Sequence, residues 1–348
     1  MPKFPKVSFE ETLGKHVLPE LCIGCGTCVT VCPFDCLDYV DGKPVLVSEC
    51  KSCGICAQVC PRYGLVLSDL EKFVFGRERR TDEDFGIYRR MVIAQSTDKR
   101  ILDKCQDGGI VTSILVNALE SGDIQGAVLS GTSKEEPLKT VPKLATTVEE
   151  IIDCAGTRYT YSPSMLALKE AVLQKKKVAF VGTPDQIQAF RRIQAFPLRK
   201  YGDAVAFTIG LFCSECFTYD GLVNSLIRRK LGVNPSEVEK INIKGKLLVA
   251  TKSGEVKTIS LKEAKRYANS CVRSCVDFSS ELADISVGGL GLDGWTFTIL
   301  RTPKGEEMFE KAESKGLIRT RPVEEEKRAL NLLAMLSRRK RAKAMAVS

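Results

Sequence analysis

The sequence predicts an α+β protein in two parts: a small cysteine-rich N-terminal module and a larger mixed α/β domain. Three observations carry that expectation. Eight cysteines between residues 22 and 60 fall into two copies of one pattern. Downstream, apolar runs of strand length alternate with amphipathic runs at helical spacing. Charge divides in the same place: residues 1–70 hold six basic and eight acidic residues, net −2, which leaves +11 for the rest of a chain of net +9.

At 348 residues the chain is long enough for a small domain plus a larger one. No stretch approaches the roughly 18 to 20 apolar residues of a membrane span. The start, "MPKFPKVSFEETLGKH", lacks the apolar centre of a secretory signal. The expected location is the cytoplasm, including the cytoplasmic face of a membrane. Fifteen cysteines in that setting read as metal ligands rather than disulfides. The one histidine, His16, leaves no room for a His-rich zinc site and little for a Ser-His-Asp triad. The hard chemistry therefore falls to cofactors. A basic body suits an anionic substrate. No aromatic-and-basic recognition motif points to nucleic acid.

The first element is the repeat. Cys22, Cys25, Cys28 and Cys32 precede Pro33, and Cys50, Cys53, Cys56 and Cys60 precede Pro61, each 28 residues after its counterpart. This is the bacterial two-cluster ferredoxin pattern. Three closely spaced thiolates wrap one cubane, so the loop curls tightly, and Gly24, Gly26 and Gly54 permit it. The fourth cysteine of each run reaches to the other cluster. The expected ligand sets of two [4Fe–4S] clusters are Cys22, Cys25, Cys28 and Cys60, and Cys50, Cys53, Cys56 and Cys32. Zinc would also accept thiolates, but three-plus-one spacing closed by proline suits cubanes. Cys36 reads as a small buried residue. "CLDYVDGKPVLV" and "YGLVLS" read as strands beside the ligand loops, the first folded at Asp41-Gly42. The module is expected over residues 1–70, with a charged linker over 71–90.

Over residues 91–320 the elements alternate. "RMVIAQST", "GAVLSG", "KVAFVG" and "AVAFTIGLF" read as strands. "GGIVTSILVNALESGD", "SMLALKEAVLQ" and "DQIQAFRRIQ" read as helices. The glycine-containing loops "CQDGGIVT", "CAGTRYTYSP" and "VGTPDQIQAF" lead into helices, the usual setting of anion and nucleotide sites. "GLGLDG", residues 289–294, matches G-x-G-x-x-G but is followed by the β-rich "WTFTILRT". It reads as a loop joining two strands rather than a dinucleotide fingerprint. "LFCSECF" and "SCVRSCVDF" supply Cys213, Cys216, Cys271 and Cys275, two close pairs able to hold a third cluster. Cys105 and Cys154 are spare.

A cubane takes one electron at a time, whereas most soluble reductants deliver a hydride. A chain that joins the two needs a converter, and flavin is one.

The motifs "CQDGGIVTSIL", "AGTRYTYSP", "GTPDQ", "GLFC", "CVDFSSELADISVG" and "DGWTFTILRT" together resemble the family of β-subunits of coenzyme F420-reducing hydrogenase, over about residues 90–320. That family includes formate dehydrogenase β-subunits and the input subunit of the archaeal F420H2 dehydrogenase. With a two-cluster ferredoxin in front, the arrangement looks most like that input subunit. The resemblance implies a flavoprotein domain with FAD, a third [4Fe–4S] cluster and coenzyme F420 as substrate. Hydride transfer would occur on FAD, with no protein residue assigned a catalytic role. By motif, FAD would lie against Asp107, Gly108, Gly109, Val111 and Thr112. Gly156, Thr157, Arg158 and Tyr159 would form a second wall, and Gly182, Thr183, Pro184 and Gln186 a third, with Trp295 nearby. Arg158 would meet the anionic tail of the coenzyme. Two departures from the family pattern stand out. Asp185 occupies a position where related chains carry cysteine, and the pair before "DF" is spaced CxxxC rather than CxxC. The fourth ligand of the third cluster is thus open among Cys216, Cys154 and Asp185.

The last segment, residues 321–348, reads as a basic helix. From Ser337 it holds five basic residues and no acidic one, so it is either solvated or a docking element for a partner or anionic lipid. The expected function is oxidation of reduced coenzyme F420, with single electrons passed through clusters to a membrane-bound dehydrogenase core. The alternatives are a soluble oxidoreductase with ferredoxin as acceptor, the input subunit of another reductase, or a non-catalytic electron-transfer adaptor. Self-association stays open.

Overall fold

Strands β1 (Leu37–Val40) and β2 (Lys43–Leu46) pair antiparallel around Asp41-Gly42 in the computed structural model, which describes residues 6–269 and 274–345. Both turn residues have positive φ, 48° and 82°, the geometry of a tight hairpin. The cysteine repeat is also a structural repeat. Helices Thr27–Val31 and Ile55–Val59 each start after a left-handed glycine, Gly26 or Gly54, and each stop at the fourth cysteine of their run. "YGLVLS" is not a strand. Its first residues turn and its last begin a helix, Leu67–Phe75, that runs on to a left-handed cap at Gly76. The reason is packing: Leu70 is buried in a core shared with the body, and β1 and β2 pair only with each other. The helix therefore crosses residue 70, where the module was expected to end.

The body is built on eight strands: β3 (Arg90–Ser96), β4 (Gly126–Thr132), β5 (Thr140–Ala145), β6 (Val178–Gly182), β7 (Val205–Leu211), β11 (Ile285–Gly288), β12 (Thr296–Leu300) and β13 (Ile318–Arg321). Their order across the sheet is β13-β3-β12-β11-β7-β6-β4-β5. The pairings make β3, β4, β6, β7 and β11 run one way and β5, β12 and β13 the other. Both faces are covered, which is why the central strands are continuous apolar runs. Ala179 and Val181 of β6 face a core with helices Ile110–Glu120 and Pro303–Ser314. Val178 and Phe180 face helices Met165–Leu173 and Pro184–Ala195. "GLGLDG" joins β11 to its antiparallel neighbour β12, as a loop between strands should.

A smaller sheet, unforeseen from the sequence, holds β8 (Val238–Ile243), β9 (Lys246–Thr251) and β10 (Val256–Ser260). It packs on the π-helical segment Asp220–Lys230 through its own core.

The cysteine module docks on the body through named contacts. Thr30 donates to the Met165 carbonyl at 2.8 Å, and the Tyr201 hydroxyl donates to the Thr30 carbonyl at 2.6 Å. The Arg192 guanidinium donates to the carbonyls of Cys60 and Tyr63. Val31 and Val59 share one core with Leu168, Phe180 and Phe190.

Candidate metal and cofactor site

The eight module thiols sort into two groups. Cys22, Cys25, Cys28 and Cys60 line one cavity, together with Leu13, Val17 and Ile23. The repeat explains why: each helix ends at its fourth cysteine, which delivers Cys60 beside the first loop and Cys32 beside the second. Burial raises the Cys28 thiol well above its ordinary range, and Cys25, Cys60 and Cys22 add to the rise. Burial pushes Cys56 up to about 12, and its thiol neighbours are Cys53, Cys50 and Cys32. Cys56 in turn bears on Cys28, so the two groups adjoin. Neutral thiols in an apolar pocket must lose protons to bind iron, so the donor set fits a group that binds as it displaces them. Among the described residues, no three Cys, His, Asp or Glu side chains are placed for a single metal ion. Cys36 is buried, as expected, but its sulfur lies 3.3 Å from that of Cys32.

A third site lies next to the first cavity. Cys213 follows β7, and Asp185 sits in the first turn of helix Pro184–Ala195 after β6, so parallel neighbouring strands deliver both to one edge. Burial raises Cys213 and pushes Cys275 up to about 12, with Asp185 reinforcing the rise of each. Asp185 also bears on Cys25 of the first cavity. Its carboxylate is ion-paired to Arg62, two residues past Cys60, and the other arm of Arg62 donates to the Ser274 carbonyl at 3.4 Å. Cys216 is buried, and its carbonyl accepts from the Asn269 amide at 2.8 Å. Cys271 lies outside the described residues. Cys154 caps helix Val148–Asp153, and its charged neighbours are Arg158, Lys143, Asp153 and Glu150, none of them at the third site. Cys154 packs against the core beside helix Ile110–Glu120, which favours Cys216 or Asp185 over it as fourth ligand.

The proposed flavin motifs gather at the same sheet edge, where the parallel strands end. Gly109, at φ 76°, turns the chain into helix Ile110–Glu120, whose first turn has no side-chain cap and so leaves amides free for an anion. A Cβ on Gly108 would stand 2.5 Å from the Ala94 carbonyl oxygen, so only glycine fits. Val111 and Thr112 lie in that first turn, with Thr112 buried. The Thr157 amide donates to Gln106 at 3.3 Å, and Gly156, at φ 88°, approaches the Lys104 carbonyl, so the second wall meets the first. Gln106 and Lys240 tie this loop to the β8–β9 hairpin, whose Lys244 is ion-paired to Asp293. Burial pushes the Asp107 carboxyl up to about 6, against the pull of Lys240 and Lys244. Trp295 begins the turn into β12 and lies under the guanidiniums of Arg319 and Arg321, at 5.1 Å and 4.8 Å.

Two expected contacts are otherwise engaged. Arg158 donates to the carbonyls of Cys154, Gly156 and Asp153 and to Thr132, so it staples its own loop and does not point at an anion. In the third wall, Thr183 and Gln186 cap their own helix, Gln186 also donates to the Ser162 carbonyl at 2.7 Å, and a Cβ on Gly182 would crowd Phe180. Pro184 is the buried first residue of that helix.

Tyr159 and Tyr161 connect these places. Asp107 and Cys213 both bear on the Tyr159 hydroxyl, while Tyr161 packs on Ile23 and Cys25. The buried acids of "CVDFSSELADISVG" are structural partners that sequence reasoning missed. Asp284 pairs with Arg191 at 3.0 Å, and Glu281 pairs with Arg79 and Arg341. The basic tail is not simply solvated: Arg341 and Lys340 of helix Lys327–Met345 reach inward to Glu281 and to the Cys213 carbonyl.

The family described as coenzyme F420 hydrogenase/dehydrogenase, beta subunit, matches in its N-terminal part at residues 91–169 and its C-terminal part at 175–326. A 4Fe-4S dicluster domain matches residues 16–73. The beta subunit of the coenzyme F420 hydrogenase of Methanothermobacter thermautotrophicus is 42% identical over 265 residues, 74% of this chain and 93% of that protein. One component of the F420H2 dehydrogenase of Methanosarcina mazei is 34% identical over 238 residues, 68% of this chain and 66% of that protein. The coenzyme F420-dependent sulfite reductase of Methanocaldococcus jannaschii is 35% identical over 337 residues, 91% of this chain and 50% of that protein. Among solved structures, a chain of the F420-reducing [NiFe] hydrogenase complex from Methanosarcina barkeri superposes with a TM-score of 0.74 at 39% identity, over 77% of this chain and 94% of that one.

Proposed function

The chain belongs to the family of coenzyme F420 hydrogenase/dehydrogenase β-subunits, and on that premise we propose that it oxidises reduced coenzyme F420 and sends single electrons out through three [4Fe–4S] clusters. Its place would be the input subunit of an F420H2 dehydrogenase. One observation carries the reading: the candidate sites lie within electrostatic reach of one another in series. Asp107 and Cys213 both bear electrostatically on Tyr159, Asp185 bears on Cys213, Cys275 and Cys25, and Cys28 and Cys56 share one core.

Bound FAD would accept a hydride and release electrons one at a time. The chain's own residues bind and insulate. Asp107, Gly108, Gly109 and the first turn of helix Ile110–Glu120 would seat the anionic part of FAD. Gly156, Thr157 and Tyr159 would close one side and Trp295 another. The residues at Gly182–Gln186 support the third cluster through Asp185. Cys213, Cys216, Cys271 and Cys275 are its proposed thiolates, and Asp185 stands by as a carboxylate held by Arg62. In the module, Cys22, Cys25, Cys28 and Cys60 would hold the near cluster and Cys32, Cys50, Cys53 and Cys56 the far one.

A second reading, the input part of another reductase, is favoured by the sulfite reductase relative, whose similarity spans 337 residues and so takes in the cysteine module. Anaerobic reconstitution with FAD, iron and sulfide tests what the two readings share. About twelve irons and one FAD per chain are expected. No flavin uptake, the behaviour of an adaptor, overturns both. Pulldown from membranes then separates them, by co-purification of a dehydrogenase core or of a reductase.

A further inference from the structure

The inward stripe of helix Lys327–Met345 runs Ala329, Leu333, Ser337, Lys340 and Ala344, spaced by three or four residues. Such a stripe is ordinarily apolar. Lys340 is its one charged member, and it is only half-buried along its length while its ammonium turns in. That ammonium donates to the Cys213 carbonyl at 2.5 Å. The titratable groups that bear on it are Cys275, Cys213, Asp185 and Asp277, those of the third site. Two further contacts pin the helix: Arg341 to Glu281 at 3.0 Å, and Arg338 to Asp84. Lys340 therefore stands where packing alone would place an aliphatic side chain, and its position is fixed on both sides.

The surroundings explain what a cation does there. Asp277 is 1% exposed, and one of its carboxylate oxygens has no hydrogen-bond partner. Asp185 and Glu215 add acidic groups near Cys213, offset in part by Arg62 and Lys265. An iron–sulfur cluster held by thiolates gains a further negative charge when it accepts an electron. In a site of low dielectric that gain is opposed by every nearby carboxylate and assisted by every nearby cation.

We propose that Lys340 is an electrostatic positioning residue for electron entry: a fixed positive charge, delivered by the C-terminal helix, that raises the reduction potential of the third cluster. This rests on the reading of Cys213 and Cys275 as cluster ligands. The tail then acts on the third site from within the fold, through the inward face of its helix.

The test is a redox titration of the anaerobically reconstituted full-length protein, read by electron paramagnetic resonance. Loss in Cys275→Ser identifies the third cluster's signal. In Lys340→Gln that signal is expected to titrate at lower potential, with a tenfold smaller ratio of reduced to oxidised cluster at fixed solution potential, about 59 mV for one electron. Lys340→Arg, and Lys343→Gln on the exposed side of the same helix, are expected to leave it in place. If Lys340→Gln loses the signal, Lys340→Met, which keeps the stem, is titrated instead. A third signal with an unmoved potential in both neutral variants overturns the inference. A wild-type protein with about eight irons and no third signal overturns the cluster reading and the inference with it.

Discussion

The guanidinium of Arg62 in the cysteine module is ion-paired to the carboxylate of Asp185 in the body, with side-chain exposures of only 7% and 10%. Arg62 follows Cys60 by two residues, and the Asp185 carboxylate bears electrostatically on both Cys25 and Cys275. The pair thus sits at the junction where electrons would pass from body to module. Removing one partner strands a buried charge, which costs about 3–5 kcal/mol. Arg62→Ala or Asp185→Ala should each lower stability by that order in anaerobic denaturant unfolding, and the double variant should recover part of the loss. Additive losses would show that the pair is not coupled.

Cysteine replacement should sort the ligands. Cys213→Ser and Cys275→Ser are expected to lower iron from about twelve towards eight per chain, and so are Cys28→Ser and Cys56→Ser, each at a different cluster. Cys154→Ser, at a helix cap away from the third site, should leave iron unchanged. Iron analysis with protein quantification decides each case.

Asp107 should make flavin binding depend on pH. Its carboxyl is pushed up by burial to about 6, so it gains a proton as pH falls through that value. A negative charge facing an anionic ligand then disappears, and FAD should bind more tightly at pH 5 than at pH 7.5. The sign for stability follows from the same shift. The folded chain holds this proton between about pH 4 and 6 where the unfolded chain does not, so the stability contribution falls as pH rises across that window. Asp107→Asn should flatten both dependences. Equilibrium dialysis and unfolding midpoints at the two pH values are the measurements.

Trp295 is the only tryptophan of the chain, so its fluorescence reports one place. Titration with FAD should quench it saturably. Arg319→Ala, which removes a cation 5.1 Å from the ring, should shift the emission before any ligand is added. Unchanged emission throughout would remove Trp295 from the cofactor site.

Much of this was legible in the residues. The cysteine repeat made the grouping of Cys60 with Cys22, Cys25 and Cys28 legible, because each run ends its helix at the fourth cysteine. The inner strands of the sheet were legible because burial on both faces demands unbroken apolar runs, whereas the edge strands β5 and β13 were not. "YGLVLS" misled because a short apolar run carries no sign of whether it will find a strand partner, and here Leu70 found a helical one. Strands β8 to β10 were hidden by their lysines, which spoil alternation. Arg158 looked free because a sequence does not show that Cys154, Gly156 and Asp153 turn their carbonyls towards it. Lys340 carried a signal that could have been used: it falls on the stripe with Leu333 and Ala344, whereas Arg339 and Lys343 do not.

The most direct measurement adds reduced coenzyme F420 to the anaerobic, fully reconstituted protein and follows flavin absorbance and the cluster signals together. The coenzyme should be oxidised, and signals from the module clusters should appear after the flavin responds. Coenzyme left unoxidised, or a flavin that bleaches while every cluster stays oxidised, would contradict the path from Asp107 to Cys56.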